Sequence, residues 1–164
     1  MCNLFGLSVE EKQETIKGIS WTPPMIGWVK VNSDSSKSDD RFAFGALVRD
    51  CSGNCLSALS ARVRAASINI LELKGLVEGL RFCSSIQASR VWLETDSTTV
   101  IAWIHGRGCI PWIAFRDLRS FVSLSAPLTA WRSTQVYREG NRAVDLLTAY
   151  QSTLGCAIHE PTHF

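Results

Sequence analysis

Polar and apolar side chains alternate with a period of two through Gly27-Trp-Val-Lys-Val-Asn-Ser-Asp34. That spacing predicts a strand with Trp28, Lys30, Asn32 and Asp34 on one face and Val29, Val31 and Ser33 on the other. The polar run from Ser35 to Asp40 reads as a turn or loop. Arg41-Phe-Ala-Phe-Gly-Ala-Leu-Val-Arg49 predicts a second strand, Asp50-Cys-Ser-Gly-Asn54 a connecting turn, and residues 55 to about 63 a third strand. Three sequential strands joined by short links imply an antiparallel meander.

The period then lengthens. Ser67 is a helix cap ahead of Leu73, Leu76, Val77 and Leu80, which recur at helical spacing, with Glu72 on the edge of that apolar stripe. Arg90-Val-Trp-Leu-Glu-Thr-Asp96 alternates again as a strand. Ser97 caps a helix carrying Val100, Ile101 and Ile104, which ends at Gly106-Arg-Gly108. Pro111 starts another helix to about Ser123. A strand follows at about 129–137, and Asn141 opens a last helix with Ala143, Leu146, Leu147 and Tyr150 on its inner side. Upstream, Ser8-Val-Glu-Glu11 has the form of a capping box, predicting a short helix from 8 to about 17. The Gly18–Gly27 stretch, with Pro23-Pro24, is an extended lead-in. The order is three strands, helix, strand, one or two helices, strand, helix. This is an α/β mixed sheet of five strands flanked by helices, with an antiparallel hairpin edge and parallel strands near 30, 90 and 130. Residues 1–20 read as a helix and linker, 21–150 as the domain and 151–164 as a tail.

Composition changes this picture little. A chain of 164 residues with 46% hydrophobic and 20% charged residues is an ordinary single globular domain. A net charge of +2 is too small to establish a nucleic-acid partner by itself. No run reaches the length of a membrane span and no signal-peptide pattern opens the chain, so an intracellular protein without a membrane partner is expected. Six cysteines at 2, 51, 55, 83, 109 and 156 fall at no recognised metal spacing and read as reduced thiols. Cys51 and Cys55 flank a turn where a disulfide or half a metal site is conceivable, and Cys156, His159 and His163 offer donors in the tail.

Four acids change it more. Asp34 ends the first strand and Asp96 the fourth; as parallel neighbours these strands would bring both acids to one sheet edge, where open α/β sheets bind ligands. Glu72 projects from a helix packed on that sheet, and Asp145 lies one turn beyond Asn141. Singly, each has an ordinary alternative: a turn residue, a helix-dipole partner, an ion pair, a solvated acid. Brought together they would repel unless a cation neutralised them, and hard oxygen ligands favour Mg²⁺. Two such ions ~4 Å apart could activate a water and stabilise a leaving 3′ oxygen in phosphodiester cleavage.

Asn32-Ser-Asp34-Ser-Ser36, Ile70-Leu-Glu72, Glu94-Thr-Asp96-Ser97 and Arg138-Glu-Gly-Asn141-Arg-Ala-Val-Asp145 together resemble the four signature blocks of type 1 ribonuclease H. The resemblance is to the reverse-transcriptase-like ribonuclease H domains abundant in plants, some derived from retroelements. Trp21-Thr-Pro-Pro24, Gly27–Asn32 and Val48-Arg-Asp50 fit as well, so it covers roughly residues 21–150. It implies a five-stranded mixed sheet flanked by helices and Mg²⁺-dependent hydrolysis of the RNA strand of RNA–DNA hybrids, leaving 5′-phosphate and 3′-hydroxyl ends. Asp34, Glu72, Asp96 and Asp145 are then the catalytic acids and the ligands of two Mg²⁺ ions, with Mn²⁺ as a substitute. Ser97, Asn141, Arg138 and Arg142 fall at nucleic-acid-binding positions, with Arg116 and Arg119 as further phosphate contacts. A monomer is expected.

The sequence departs from the family pattern in three places. Ser35 stands where the family usually has glycine, a difference that matters if the backbone there needs a positive φ or a close phosphate approach. The following loop lacks the usual glycine-rich run. Gln135 stands where a histidine commonly helps in proton transfer or product release, and it cannot titrate near neutral pH. These departures motivate an alternative reading: a catalytically weak or inactive module that binds nucleic acid or protein. A related two-metal nuclease with another substrate is a third.

Overall fold

A computed structural model of the protein describes residues 20–38, 41–63 and 67–153. Five strands form one sheet: β1 (Val29–Ser38), β2 (Arg41–Arg49), β3 (Cys55–Val63), β4 (Arg90–Thr95) and β5 (Ala130–Gln135), in the order β3-β2-β1-β4-β5. β1–β2 and β2–β3 pair antiparallel, whereas β1–β4 and β4–β5 pair parallel. Four α-helices accompany them: α1 (Ile68–Ser85), α2 (Thr98–Ile104), α3 (Phe115–Ser125) and α4 (Arg142–Thr153). The mixed sheet with a hairpin edge is therefore the one the periodicity predicts. The predicted helix at 8–17 and the donors Cys156, His159 and His163 lie outside the described residues. Among those described, Cys51, Cys55, Cys83 and Cys109 are free thiols. None of the described helices is long and apolar enough to cross a membrane.

α1 is the central helix of one face. Gly75 and Gly79, one turn apart, let its axis come down onto β1 and β2: a Cβ at Gly75 would lie 2.6 Å from the Gly45 carbonyl oxygen and 2.9 Å from Ser33 Cβ. One at Gly79 would run into Val31. The close approach buries ten of the helix's residues, among them Leu73, Leu76, Leu80 and Glu72. These join Val31, Val48, Leu93, Val100 and Phe121 in the core.

α4 packs on the opposite face, where a Cβ at Gly45 would meet Thr148 at 2.8 Å and Val144 at 3.5 Å. Its inner side includes the buried Val144 and Thr148, with Asn141 buried at its entry; of the predicted stripe Ala143 is exposed, Leu146 is 61% exposed and Leu147 is half-buried, and the Tyr150 side chain lies outside the described residues. The smaller residues face inward because the helix lies over a glycine, where Leu146 would be too large for the gap.

β1 corrects a second expectation. It does not stop at Asp34: it remains paired with β2 through Ser38↔Arg41, so Ser35–Ser38 is strand and not loop. Its pairing with β4, however, ends at Asn32↔Glu94. Asp34 therefore lies inside a strand but just past the point where its parallel neighbour leaves.

Candidate active site

At that gap three acids meet. β1 delivers Asp34, the residue after β4 is Asp96, and the second turn of α1 delivers Glu72 through the glycine-mediated approach. One carboxylate oxygen from each lies within 4.8 Å of the others. Asp34 and Glu72 are buried and Asp96 is half-buried. Asp145, one turn into α4, is exposed and lies outside this triad, though near enough for its charge to act on Asp34. The fold thus brings three of the four predicted acids together and leaves the fourth at the rim.

Three hydroxyls hold Glu72. Ser35 donates to Oε1 at 2.8 Å, while Thr95 at 2.9 Å and Ser33 at 3.2 Å donate to Oε2. Ser33 and Thr95 were legible in principle, because they share strand faces with Val31 and Leu93 and so point toward α1. Ser35 was hidden by the expectation of a loop. Its backbone is ordinary strand, paired with Phe44, and Gln87 is the sole non-glycine residue of positive φ among those described. A serine at 35 therefore fits without strain, and its hydroxyl orients Glu72.

Electrostatics follow from crowding. Burial pushes the Asp34 carboxyl up, the neighbouring Glu72 pushes it further, and Asp96 and Asp145 add to both, so that it is raised to about 8. Burial likewise raises Glu72, with Asp96 adding to it, against the opposing hydrogen bonds from Ser35 and Thr95. Buried carboxylates this close are unfavourable when all are ionised, and an all-oxygen donor set around a shared point is the environment a hard divalent cation fits.

The remaining predicted residues have mixed positions. Ser97 caps α2 by accepting from Val100 N at 3.1 Å and donates to Asn69 of α1 at 2.9 Å, so its hydroxyl fixes the start of α2 beside Asp96. Asn141 is buried: its Nδ2 donates to the Ser33 carbonyl at 2.8 Å, and its Oδ1 has no partner. Arg138 reaches Asp96 Oδ2 at 3.4 Å from a side chain that is 85% exposed. Arg142, Arg116 and Arg119 are exposed. Gln135 donates from Nε2 to the Asp96 carbonyl at 3.3 Å.

A mixed sheet in this order with carboxylates gathered where β4 parts from β1 defines a ribonuclease H-like fold, and solved structures agree. The N-terminal RNase H domain of a Mycobacterium tuberculosis protein superposes with a TM-score of 0.71 at 19% identity, covering 77% of this chain and 94% of that one. RNase H1 of Halobacterium salinarum gives 0.66 at 20%, covering 73% and 93%. LC11-RNase H1, solved in complex with an RNA/DNA hybrid, gives 0.64 at 16%, covering 73% and 92%. The chain belongs to the reverse transcriptase-like family, whose model matches residues 31–150. An Arabidopsis thaliana protein named as a candidate ribonuclease H protein is 31% identical over 157 residues, spanning 86% of this chain but only 23% of the relative.

Proposed function

We propose that the protein is a metal-dependent nuclease that hydrolyses the RNA strand of RNA–DNA hybrids. The observation that carries the proposal is the convergence of Asp34, Glu72 and Asp96 within 4.8 Å at the sheet edge. The hybrid-bound LC11 neighbour and the Arabidopsis relative support the substrate class. In this reading the three acids hold a divalent cation, Mg²⁺ by donor chemistry, and Asp145 contributes from α4 to a second ion at the rim. Bound divalent cations supply an activated water and neutralise charge at the attacked and departing oxygens.

The chain's own residues do the rest. Ser33, Ser35 and Thr95 hold the Glu72 carboxylate in one orientation. Gln135 and the Ser97-capped start of α2 fix the peptide that carries Asp96. Arg138 and Arg142 bind phosphate beside the acids, as exposed guanidinium groups suit. Gln135 leaves the site without a group that titrates near neutrality at that position, so slow turnover is expected.

The test is cleavage of end-labelled hybrid in Mg²⁺ by the wild-type protein and by Asp96→Asn, with duplex DNA as control. Cleavage of the hybrid alone, lost in the variant, supports the enzyme. Tight hybrid binding with no cleavage by either protein replaces it with a binding module. A Gln135→His variant is expected to turn over several-fold faster; an unchanged rate removes proton handling as the limitation.

A further inference from the structure

The face of the sheet opposite α1 carries a second concentration of charge that the carboxylate site does not use. α4 lies over β1, β2 and β3 on this face. Beyond it, Lys30, Arg49, Arg90 and Arg132 stand on this side of the sheet by register, Lys30 opposite Arg49 and Trp92 opposite Arg132. Beside these cations Glu94 accepts from Lys30 at 2.8 Å and Asn32 at 2.9 Å, and Asp34 follows on the same side of β1 toward the carboxylate site.

The cations are layered with indoles. Trp92 lies between Lys30 Nζ, 3.4 Å from its ring centre, and the Arg132 guanidinium, at 3.5 Å. Arg132 also lies 5.4 Å from the Trp28 ring, and Arg49 stacks on Trp21 at 3.7 Å. Lys30 is sealed in, but Arg49, Trp28, Trp92 and Arg132 are half-buried and Arg90 is exposed. The Nε atoms of both Arg49 and Arg132 are buried, and Arg49 Nη2 donates to Asn32 Oδ1 at 2.8 Å, so the outward charge is carried by the exposed Arg90 and the half-buried Arg132. Arginines stacked on half-buried indoles, with an exposed arginine beside them, are the elements of a surface that tracks a nucleic-acid backbone.

The geometry points to this face as a second, non-catalytic binding surface that takes the sugar–phosphate backbone of a nucleic-acid strand running on from the carboxylate site. Trp92 is four residues before Asp96 on one strand, ~13 Å at ~3.3 Å per residue. That distance is about four phosphates at ~3.4 Å each along one strand of a duplex. Arg132 and Arg90 meet the phosphates, while Trp28 and Trp92 hold the guanidinium planes in place. The inference rests on the nucleic-acid reading above but not on cleavage.

The test is equilibrium binding of a labelled RNA, alone and annealed to DNA, in chelator so that no cleavage intervenes. An Arg90→Gln/Arg132→Gln double variant is compared with the wild type and with Arg81→Gln, whose side chain pairs with Glu78 on the outer side of α1. The double variant is expected to bind about tenfold more weakly, with the slope of log affinity against log salt reduced by roughly 1.4–1.8. Arg81→Gln is expected to bind as the wild type does. Arg132→Lys keeps the charge and removes the stacked fork, so it weakens binding with the slope kept. If the double variant does not fold, Arg90→Gln alone reduces the slope by about 0.7–0.9. Unchanged affinity and slope in a folded variant overturn the inference and leave the cluster as packing. Stronger competition by polyglutamate than by an oligonucleotide of equal charge also overturns it, in favour of an acidic polypeptide. A wild-type protein that binds through Arg90 and Arg132 but never cleaves hybrid in Mg²⁺ removes the nuclease reading alone.

Discussion

Asp34 and Glu72 are where side-chain chemistry and stability oppose each other. Each is buried beside like charge, and each has its carboxyl raised, Asp34 to about 8. Without a cation, Asp34→Asn removes one charge from the crowd while keeping its shape. The metal-free variant is expected to be more stable than the wild type at pH 8, by roughly 1–3 kcal/mol, while losing cleavage. Urea denaturation in chelator measures the first part; a less stable variant would mean that the acids do not repel. Ser35 supplies a sharper comparison. Restoring the family's glycine deletes a 2.8 Å hydrogen bond to Glu72. Ser35→Gly is expected to lower stability by about 1 kcal/mol and to leave the cleavage rate unchanged or slower. A faster Ser35→Gly enzyme would show that the hydroxyl obstructs the site.

At the scale of elements, the glycine pair of α1 decides whether Glu72 reaches the other acids at all. A methyl at Gly75 would press on the Gly45 carbonyl oxygen, a backbone atom of the central sheet that has little room to move. Gly75→Ala is therefore expected to cost about 2–3 kcal/mol and to reduce cleavage beyond what the lost stability explains, because α1 lifts and carries Glu72 with it. Chemical denaturation paired with hybrid cleavage under folding conditions tests both halves. The same glycines explain the limits of the sequence. Strand alternation and helical spacing place every described strand and helix within a few residues, because those patterns report which side of one element is apolar. They do not report how closely two elements approach. Glu72 looks like the edge of a stripe until Gly75 and Gly79 bring it under β1. Leu146 looks like core until Gly45 selects Val144 and Thr148. Asp34 looks like a strand end because β4, not β1, stops there. Asn141 also ties the α4 entry to the Ser33 carbonyl, a bond that no sequence pattern reports.

For the molecule as a whole, the acids link stability to pH in an uncommon direction. The native state retains protons on Asp34 and Glu72 at pH values where the unfolded chain has released them. More protons bound in the native state means that stability falls as pH rises. The metal-free protein is expected to lose melting temperature from about pH 4, near the ordinary Asp value of 3.8, through about 8. Mg²⁺ is expected to reverse this, with a larger gain at pH 8 than at pH 5, since the cation competes with protons for the same oxygens. Thermal melts with and without chelator decide it; an equal Mg²⁺ shift at both values would separate metal binding from these carboxyls.

Lys30 has a consequence for how the domain is joined to whatever precedes it. Its ammonium donates to the Thr22 carbonyl as well as to Glu94, and the Trp21 indole donates to Asn32 at 3.1 Å. The lead-in is thus latched across the sheet before the first strand begins. A fragment cut to start at Val29 would keep every strand yet expose a buried ion pair to water on one side. Among the described residues, Trp21 is the first whose side chain ties the lead-in to the sheet, so a pull on the lead-in there is borne by Asn32 and Arg49.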